Sequence, residues 1–407
     1  MLYFLTAHTL KLNDDLLTNK IQQTIIMNKR TFFNKANICL LLIFFTAISI
    51  GCRKQNINDK ALRDFQQVNL VSNSAAYAPT LTDPTLQNAW GLAWAPSGIA
   101  WVNSLGGHVS ELYTGEGAIV RAPVNIPSPG DTIGGLPTGI VFSGGAGFTL
   151  PNKAGANFLF VGVDGVVSGW NGAAGNNAFR LADNSATSSY TGLAIATNNG
   201  SHFIYAANFR TGKIDVWDTT FTAVKMSFWD PSIPHGFAPF NIQAVGSWLF
   251  VMYAKVGADG RDQAGYGLGF VDIFNTDGSF VKRFASRGSL NAPWGVVQTP
   301  AGFLQSDDMG DESHDGNDDH GKMNIGDTNQ PFILVGNFGD GRINVFSLDG
   351  TYFGQLQNHN KKTIVIDGLW ALSFAPTTAT AIDPMRLYFT AGPDKEANGL
   401  FGYLIRQ

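Results

Sequence analysis

The chain has 407 residues, of which 44% are hydrophobic, 12% aromatic and 14% charged, and its formal net charge is −4. This weakly acidic balance argues against nucleic-acid binding, which depends on a basic surface that neutralises phosphates. The 47 glycines and the aromatic content favour an all-β protein with many turns. Both cysteines, Cys39 and Cys52, lie near the N-terminus, so no disulfide can stabilise the rest of the chain.

The N-terminal region has the features of a secretion signal. Residues 27–52 contain basic residues between 29 and 35 and an apolar run at 40–50, which is shorter than the about 20 residues of a membrane-spanning helix. The run ends in Ser-Ile-Gly-Cys at 49–52, which resembles a bacterial lipobox and predicts lipidation of Cys52. We therefore expect an anchor in the bacterial cell envelope, on the outer membrane or the cell surface. An uncleaved anchor and a plain secretory signal are the alternatives.

The segments before and after this signal are assigned from their position and composition. Residues 1–26 precede a normal-looking start at Met27, which suggests a misassigned start codon. Residues 53–67 are polar and predict a tether. The remaining chain, 68–407, is expected to fold as one domain.

A block of strands recurs six times along this domain. The inner-strand candidates start every 48, 53, 49, 54 and 76 residues, at 89–95, 137–143, 190–196, 239–245, 293–299 and 369–375. Second strands follow at 99–104, 158–164, 203–208, 249–254, 332–337 and 386–392. Each unit has a third strand, and five continue into a fourth, whereas the last unit stops at Gln407. A period near 50 with four strands per unit predicts an all-β, six-bladed β-propeller.

One strand is left over before the first unit. The run FQQVNLVSN, residues 65–73, is predicted to be the outer strand that completes the last blade and closes the ring. Each sheet would then bury both faces against its neighbours. We expect a monomer.

Several sequence blocks resemble known propeller repeats. The stretches NFRTGKIDVW and NFGDGRINVF, at 208–217 and 337–346, resemble NHL-type repeats. The blocks HGFAPFNIQ, NAPWG and VIDGLWALSF, at 235–243, 291–295 and 365–374, are similar to an uncharacterised family of secreted bacterial six-bladed propellers. That resemblance implies the fold and supplies no reaction or catalytic residues. The fifth unit departs from the family by an insertion.

Polar residues are predicted to gather at one mouth of the central channel. In a propeller, the starts of the inner strands and the ends of the second strands meet there. Five blades contribute Asn103, Asp164, Asn208, Asn241 and Asn337. Their oxygens could bind a cation or a small polar ligand. Asn and Asp at such positions also cap turns with their own side chains, and both interpretations fit the sequence.

The same mouth receives the longer connections, at 124–135, 228–236 and 254–267. Long loops on one face of a rigid scaffold are the usual place for binding. Their polar candidates are Asp230, His235, Lys255, Asp259, Arg261 and Asp262. His235 could act as a general base, but no nucleophile or acid is paired with it by spacing, and we expect a solvent-exposed histidine.

The fifth unit carries an acidic insertion at 304–331. Between 306 and 330 it contains seven Asp, one Glu and two His. Around Gly316, a calcium-loop pattern is partly matched by Asp311, Ser313, Asp315, Asn317 and Asp319. The twelfth position is Lys322 instead of the usual glutamate. A site for calcium or another divalent cation and a flexible, solvated loop are the two interpretations. The insertion joins strands one and two, so it should lie opposite the polar mouth.

The sequence predicts a binding protein more readily than an enzyme. It has no GxxxxGK[ST], CxxC, HExxH or GxSxG motif. We expect a lipid-anchored propeller that binds a small ligand or an envelope protein. The alternative is a hydrolase or lyase with a divalent ion at the channel mouth. Carbohydrate binding through Trp229 and Tyr266 is a third interpretation, although packing between blades accounts better for those aromatics.

Overall fold

The computed structural model describes residues 59–145, 147–304 and 330–407. Within these ranges the chain forms six β-sheets arranged as blades, which confirms the six-bladed propeller. The described helices are short 3₁₀ turns, at Asp59–Leu62, Ala75–Tyr77 and Gly172–Ala174. None of the helices in the described ranges is long and apolar enough to cross a bilayer.

The first three blades each have four strands, numbered from the channel outward. Blade 1 contains β3 (Ala89–Trp94), β4 (Ala100–Ser104), β5 (Val109–Tyr113) and β6 (Val124–Asn125). Blade 2 contains β7 (Pro137–Phe142), β8 (Phe158–Gly162), β9 (Val166–Trp170) and β10 (Phe179–Asp183). Blade 3 contains β11 (Tyr190–Asn198), β12 (Ser201–Asn208), β13 (Lys213–Trp217) and β14 (Ala223–Val224).

The other three blades repeat the pattern with additions. Blade 4 contains β15 (Phe237–Val245), β16 (Trp248–Val256), β18 (Gly269–Phe274) and β19 (Phe280–Ser286), and β17 (Asp262–Gln263) pairs with β16. Blade 5 contains β20 (Pro293–Gln298), β21 (Ile333–Asn337), β22 (Ile343–Phe346) and β23 (Tyr352–Gln355). Blade 6 contains β24 (Leu369–Ser373), β25 (Leu387–Ala391), β26 (Leu400–Arg406), β1 (Phe65–Ser72) and β2 (Leu81–Thr82).

Blade 6 combines strands from both ends of the propeller. β1 runs antiparallel to β26, with Phe65 opposite Arg406 and Ser72 opposite Leu400. β2 then adds to the outer edge, parallel to β1. β1, which contains most of the leftover run 65–73, thus lies in the last blade, next to β26.

The predicted tether is shorter than the sequence suggested. Ala61, Leu62 and Phe65 are buried in one hydrophobic cluster with residues of blades 5 and 6. The backbone N–H of Gln357 also donates to the carbonyl of Leu62. Residues 59–67 therefore belong to the propeller, because their apolar side chains have a core to enter.

The inner strands pack closely around the channel, and the repeated glycine makes this approach possible. A Cβ atom on Gly139 would lie 2.5 Å from the backbone nitrogen of Leu193 in the next blade. A Cβ on Gly295 would lie 2.7 Å from the carbonyl oxygen of Trp370. A side chain at either position would push the neighbouring blade away, so glycine is a packing requirement at Gly139 and Gly295.

Candidate functional site

The strand register brings together the chain segments that were expected at the mouth. Tyr190 at the start of β11 lies opposite Asn208 at the end of β12. Pro293 at the start of β20 likewise lies opposite Asn337 at the end of β21. The carboxamides, however, bond to their own blade. Asn208 Oδ1 accepts the N–H of Ser189 at 3.2 Å, and Asn337 Nδ2 donates to a backbone carbonyl at 2.8 Å.

The other predicted mouth residues also satisfy backbone groups. Asn103 Nδ2 donates to the carbonyl of Thr138 at 3.0 Å, and Asn241 Nδ2 donates to that of Trp294 at 2.8 Å, so each links its blade to the next. Asp164 accepts a backbone N–H at 3.1 Å, and burial raises the pKa of its carboxyl group. These side chains form hydrogen bonds that stabilise the blades and the contacts between them. Their role in ligand binding stays a prediction.

An aromatic plug fills much of the mouth. It consists of Trp90, Phe209, Phe240, Trp294, Phe338 and Trp370. Trp370 is at its centre: its ring centroid lies 3.6 Å from that of Trp90, 3.9 Å from that of Phe338 and 5.8 Å from that of Trp294. Stacked and edge-on aromatic pairs stabilise such clusters beyond the area that they bury. The axis at this face is therefore apolar.

A gap in the repeat leaves a cavity beside the plug. The residue before each repeated glycine or its equivalent is aromatic in blades 1, 4, 5 and 6, but blades 2 and 3 have Thr138 and Thr191. Next to Thr191 lies a mouth cavity of about 300 Å³. Its apolar lining comes from Trp90, Leu105, Val163, Phe209 and Phe240, and its polar lining from Ser189, Thr191, Arg261, Asp262 and Glu396. The smaller threonine leaves the space that an aromatic ring would fill.

The cavity has a charged rim. Arg261, on the loop between β16 and β18, forms an ion pair with Glu396, on the loop between β25 and β26. Glu396 Oε2 also accepts a hydrogen bond from Asn88 Nδ2 at 2.8 Å. Burial raises the pKa of the neighbouring Asp262 to about 6, and the charge of Glu396 adds to the rise. The rim thus joins blades 4, 6 and 1 and carries one cation with two carboxyl groups.

Glu396 reaches this rim from an unusual backbone. Asp394, Lys395 and Glu396 have φ values of 56°, 57° and 70°. Residues other than glycine adopt this left-handed region at a cost of about 1–2 kcal/mol each. Three in succession are held by the surrounding contacts, among them the hydrogen bond from the N–H of Asp394 to Asp367 Oδ2 at 2.8 Å.

The three indoles of the plug differ in their hydrogen bonds. Trp370 Nε1 donates to Asn88 Oδ1 at 2.8 Å, and Trp294 Nε1 donates to the carbonyl of Thr191 at 2.9 Å. Trp90 is 4% exposed, and its Nε1 has no hydrogen-bond partner among the described residues. Buried N–H groups are normally satisfied. Trp90, whose indole N–H is unsatisfied among the described residues, is also one of the residues that line the mouth cavity.

No family model matches the chain. The mimivirus protein L690 of Acanthamoeba polyphaga mimivirus is 30% identical over 356 residues, which cover 83% of this chain and 84% of that protein. Protein R648 of the same virus is 30% identical over 355 residues, covering 83% and 79%. The chain belongs to the family of these mimivirus proteins. Both carry the name "uncharacterized protein", and both are viral, whereas the sequence blocks had suggested bacterial relatives.

One solved structure similar to this propeller is a streptogramin B lyase. It has a TM-score of 0.45 and 12% sequence identity, and the similarity covers 84% of this chain and 97% of that one.

The predicted loop residues divide between the cavity and the scaffold. Arg261 and Asp262 line the mouth cavity. Asp230 instead forms a buried ion pair with Arg283, which also pairs with Asp272. Hydrogen bonds from Ser232 and Arg283 outweigh the burial that raises the pKa of Asp230, so its pKa is lowered.

The remaining loop candidates are directed elsewhere. His235 is exposed, as expected, and Asp259 is exposed and accepts the N–H of Arg261 at 3.0 Å. Lys255 Nζ lies 5.3 Å from the centroid of the Phe237 ring. These three residues are not part of the mouth-cavity lining.

Two aromatics are placed differently from the expectation. Trp229 is 67% exposed and Tyr266 is 78% exposed, so they do not pack between blades. Both lie outside the strands, on the loops before β15 and β18.

The candidate calcium residues, 311–319, lie outside the described residues. Across residues 59–145, 147–304 and 330–407, no three His, Cys, Asp or Glu side chains are grouped so that they could hold a metal ion. A metal-dependent activity stays a prediction.

A second cavity lies deeper, between the inner strands. It has a volume of about 210 Å³, and its lining includes Trp94, Ile140, Leu193, Asn241 and Gln243. Trp94 resembles Trp90 in having a buried Nε1 without a partner in the described ranges. The two cavities are separate, and Trp294 belongs to the lining of this deeper one.

Proposed function

We propose that the protein is a lipid-anchored binding propeller that holds a small molecule in its mouth cavity. The observation that supports this most is the cavity itself: about 300 Å³ with an aromatic floor and a charged rim. Ligand sites are mainly apolar clefts with a few well-placed polar groups. Here the polar groups come from separate blades, so the site exists only in the closed ring.

The rim fits binding better than proton-transfer chemistry. Arg261 and Glu396 pair with each other, and Glu396 is further held by Asn88. His235, the one candidate general base of the mouth loops, is exposed and lies outside the cavity lining. The cavity can therefore enclose and orient a molecule, while its charged groups hold the loops in place.

The cellular address is the second part of the proposal. The segment at 27–52 supports export, and Cys52 would carry the lipid that anchors the propeller to an envelope membrane. Expression in a bacterium with labelled palmitate tests this part. The wild type should incorporate the label and enter the detergent phase on phase separation, and Cys52→Ala should do neither. Equal behaviour of both proteins would reject the anchor.

The binding function is tested with a panel of compact ring-bearing or branched compounds in neutral, cationic and anionic forms. Thermal unfolding and titration calorimetry on the full chain should find compounds that raise the unfolding midpoint, because a ligand bound only to the native state stabilises it. Thr191→Phe places an aromatic ring where blades 1, 4, 5 and 6 have one and should abolish this binding.

Thr197→Phe is the matched control. Thr197 is exposed on the same strand, β11, so it adds the same ring away from the cavity. A panel without any binder, or binders that Thr191→Phe leaves unaffected, would reject the mouth cavity as a binding site.

A further inference from the structure

The charge at the mouth cavity favours one class of ligand. Arg261 is the only basic residue of its lining, and it is already paired with Glu396. Asp262 forms no ion pair among the described residues, and the three groups sum to one negative charge when all are ionised. An anion would meet two carboxylates, whereas a cation would be attracted to them.

The raised pKa of Asp262 also favours a cationic ligand. Burial raises the pKa of this carboxyl group to about 6, and Glu396 contributes further to the rise. A buried carboxylate without a compensating charge is unfavourable. A positive group placed beside Asp262 would remove that penalty.

The floor of the cavity can also receive a cation. Trp90 has Trp370 stacked on one face, at 3.6 Å between ring centroids, and Trp90 lines the cavity as well. Phe209 and Phe240 lie next to it, with centroids 5.3 Å apart. Aromatic faces attract ammonium groups, and tryptophan does so most strongly.

The hydroxyl groups of the lining add a requirement for a polar group on the ligand. Ser189 and Thr191 carry these hydroxyl groups, and each can form a hydrogen bond with an oxygen of the ligand. A purely apolar cation would form neither bond.

From this arrangement we infer that the mouth cavity binds a small organic ammonium ion that carries a hydrogen-bond acceptor, with the ammonium group between the aromatic floor and Asp262. This inference rests on the proposed binding function and specifies its ligand class. Trp90 contributes an aromatic face, and Asp262 contributes the charge. Arg261 closes the rim through its ion pair with Glu396.

The test compares three probes of nearly equal shape on the full chain. They are choline, its neutral carbon isostere dimethylbutanol, and the anion dimethylbutanoate. Titration calorimetry should show that choline binds about tenfold or more tightly than the isostere, which corresponds to a typical cation–π and charge contribution. The anion should bind most weakly.

Variants locate the effect. Asp262→Asn should weaken choline binding about tenfold and leave the isostere unchanged, whereas Asp259→Asn on the same loop should change neither. Trp90→Phe should weaken choline binding, and Trp94→Phe should not, although both indoles are buried on β3 and neither Nε1 atom has a partner among the described residues.

The outcomes separate the two proposals. Equal binding of choline and its isostere, or tighter binding of the anion, would overturn the ammonium class and leave the binding function standing. Choline binding that Asp262→Asn and Trp90→Phe leave unchanged would also overturn it. Failure of all three probes, together with a compound panel that yields no binder, would overturn both.

Discussion

The indole of Trp370 lies flat against that of Trp90, with ring centroids 3.6 Å apart and ring planes at 15°. The two rings come from blades 6 and 1, so the stack crosses the junction where the first unit meets the last. Their hydrogen bonding differs, since Trp370 Nε1 donates to Asn88 Oδ1 at 2.8 Å and Trp90 Nε1 has no partner in the described residues. The indole N–H of Trp370 is thus satisfied by the protein, whereas that of Trp90 is buried without a partner in the described part of the chain.

This difference predicts unequal costs for the same substitution. Trp370→Phe removes ring area and a buried hydrogen bond and leaves Asn88 Oδ1 unsatisfied, whereas Trp90→Phe removes ring area alone. We expect Trp370→Phe to lower the free energy of unfolding by about 1–3 kcal/mol more than Trp90→Phe. Chemical denaturation of both variants measures the difference. Equal losses would contradict the assignment of the hydrogen bonds.

The blades could be predicted from the sequence because their signal is local and repeated. Each inner strand carries a glycine or its equivalent at the same position, and the glycine is needed where neighbouring blades touch, as at Gly139. The alternation of buried and exposed residues then places the other strands. The sequence places the asparagine of each repeated Asn-Phe pair at the mouth, but the phenylalanine that follows it, Phe209 or Phe338, packs in the aromatic plug.

The mouth cavity was not predicted from the sequence, because its signal appears only when the same position is compared in all six repeat units. Aligned at one position, the units have aromatic residues in four blades and threonine in two, and that contrast signals the space beside Thr191. Glu396 gave no such signal. It pairs with Arg261, which is 135 positions away in the sequence. It also lies on a left-handed turn, which no sequence pattern predicts.

Glu111 predicts a pH dependence of stability. This residue is 2% exposed on β5, and one hydroxyl, that of Thr85, lies between its carboxyl group and that of Asp83. Burial raises the pKa of Glu111 from 4.5 to about 7. The protonated form is thus favoured by folding, so its contribution is fully present below pH 4.5 and is lost as the pH rises to about 7.

Glu111→Gln should remove this dependence. The variant should match the wild type near pH 4.5 and exceed it above pH 7 by an amount of the order of 3 kcal/mol. Denaturant unfolding across this pH range measures the effect, with the exposed Asp131→Asn as control. A stability advantage of Glu111→Gln that is independent of pH would show that the pKa of this carboxyl group is the same in the folded and unfolded states.

Arg283 predicts a large loss of stability on substitution. Its guanidinium group pairs with Asp230 and Asp272, whose side chains are 2% and 0% exposed. Arg283→Met should therefore lower the free energy of unfolding by about 3–5 kcal/mol, because two buried carboxyl groups lose their cation. Adding Asp230→Asn and Asp272→Asn should recover part of that loss. A triple variant no more stable than Arg283→Met would mean that packing, not charge, causes the loss.

The left-handed turn at 394–396 predicts that one substitution increases the stability of the protein. Lys395 is exposed and has a φ of 57°, a conformation that glycine adopts without steric cost. Lys395→Gly should raise the free energy of unfolding by up to about 1 kcal/mol, which thermal unfolding can detect. Lys213→Gly, at an exposed position in β13, should lower it instead. A loss at both positions would show that the turn at Lys395 is unstrained.

The last blade predicts that a strand from the N-terminal side supports the whole ring. Val71 on β1 is fully buried, in a hydrophobic cluster with Ala89 of blade 1 and Phe401 of β26. Val71→Asp would bury an unpaired carboxylate at the junction of the first and last blades, where it should cost several kcal/mol. Gln66→Asp, at an exposed position of the same strand, adds the same charge in contact with water and should cost little. Because the six blades pack as one ring, the Val71 variant should lower the midpoint of a single unfolding transition. A separate early transition, with the other blades unfolding at the wild-type temperature, would instead mean that blade 6 folds independently of the ring.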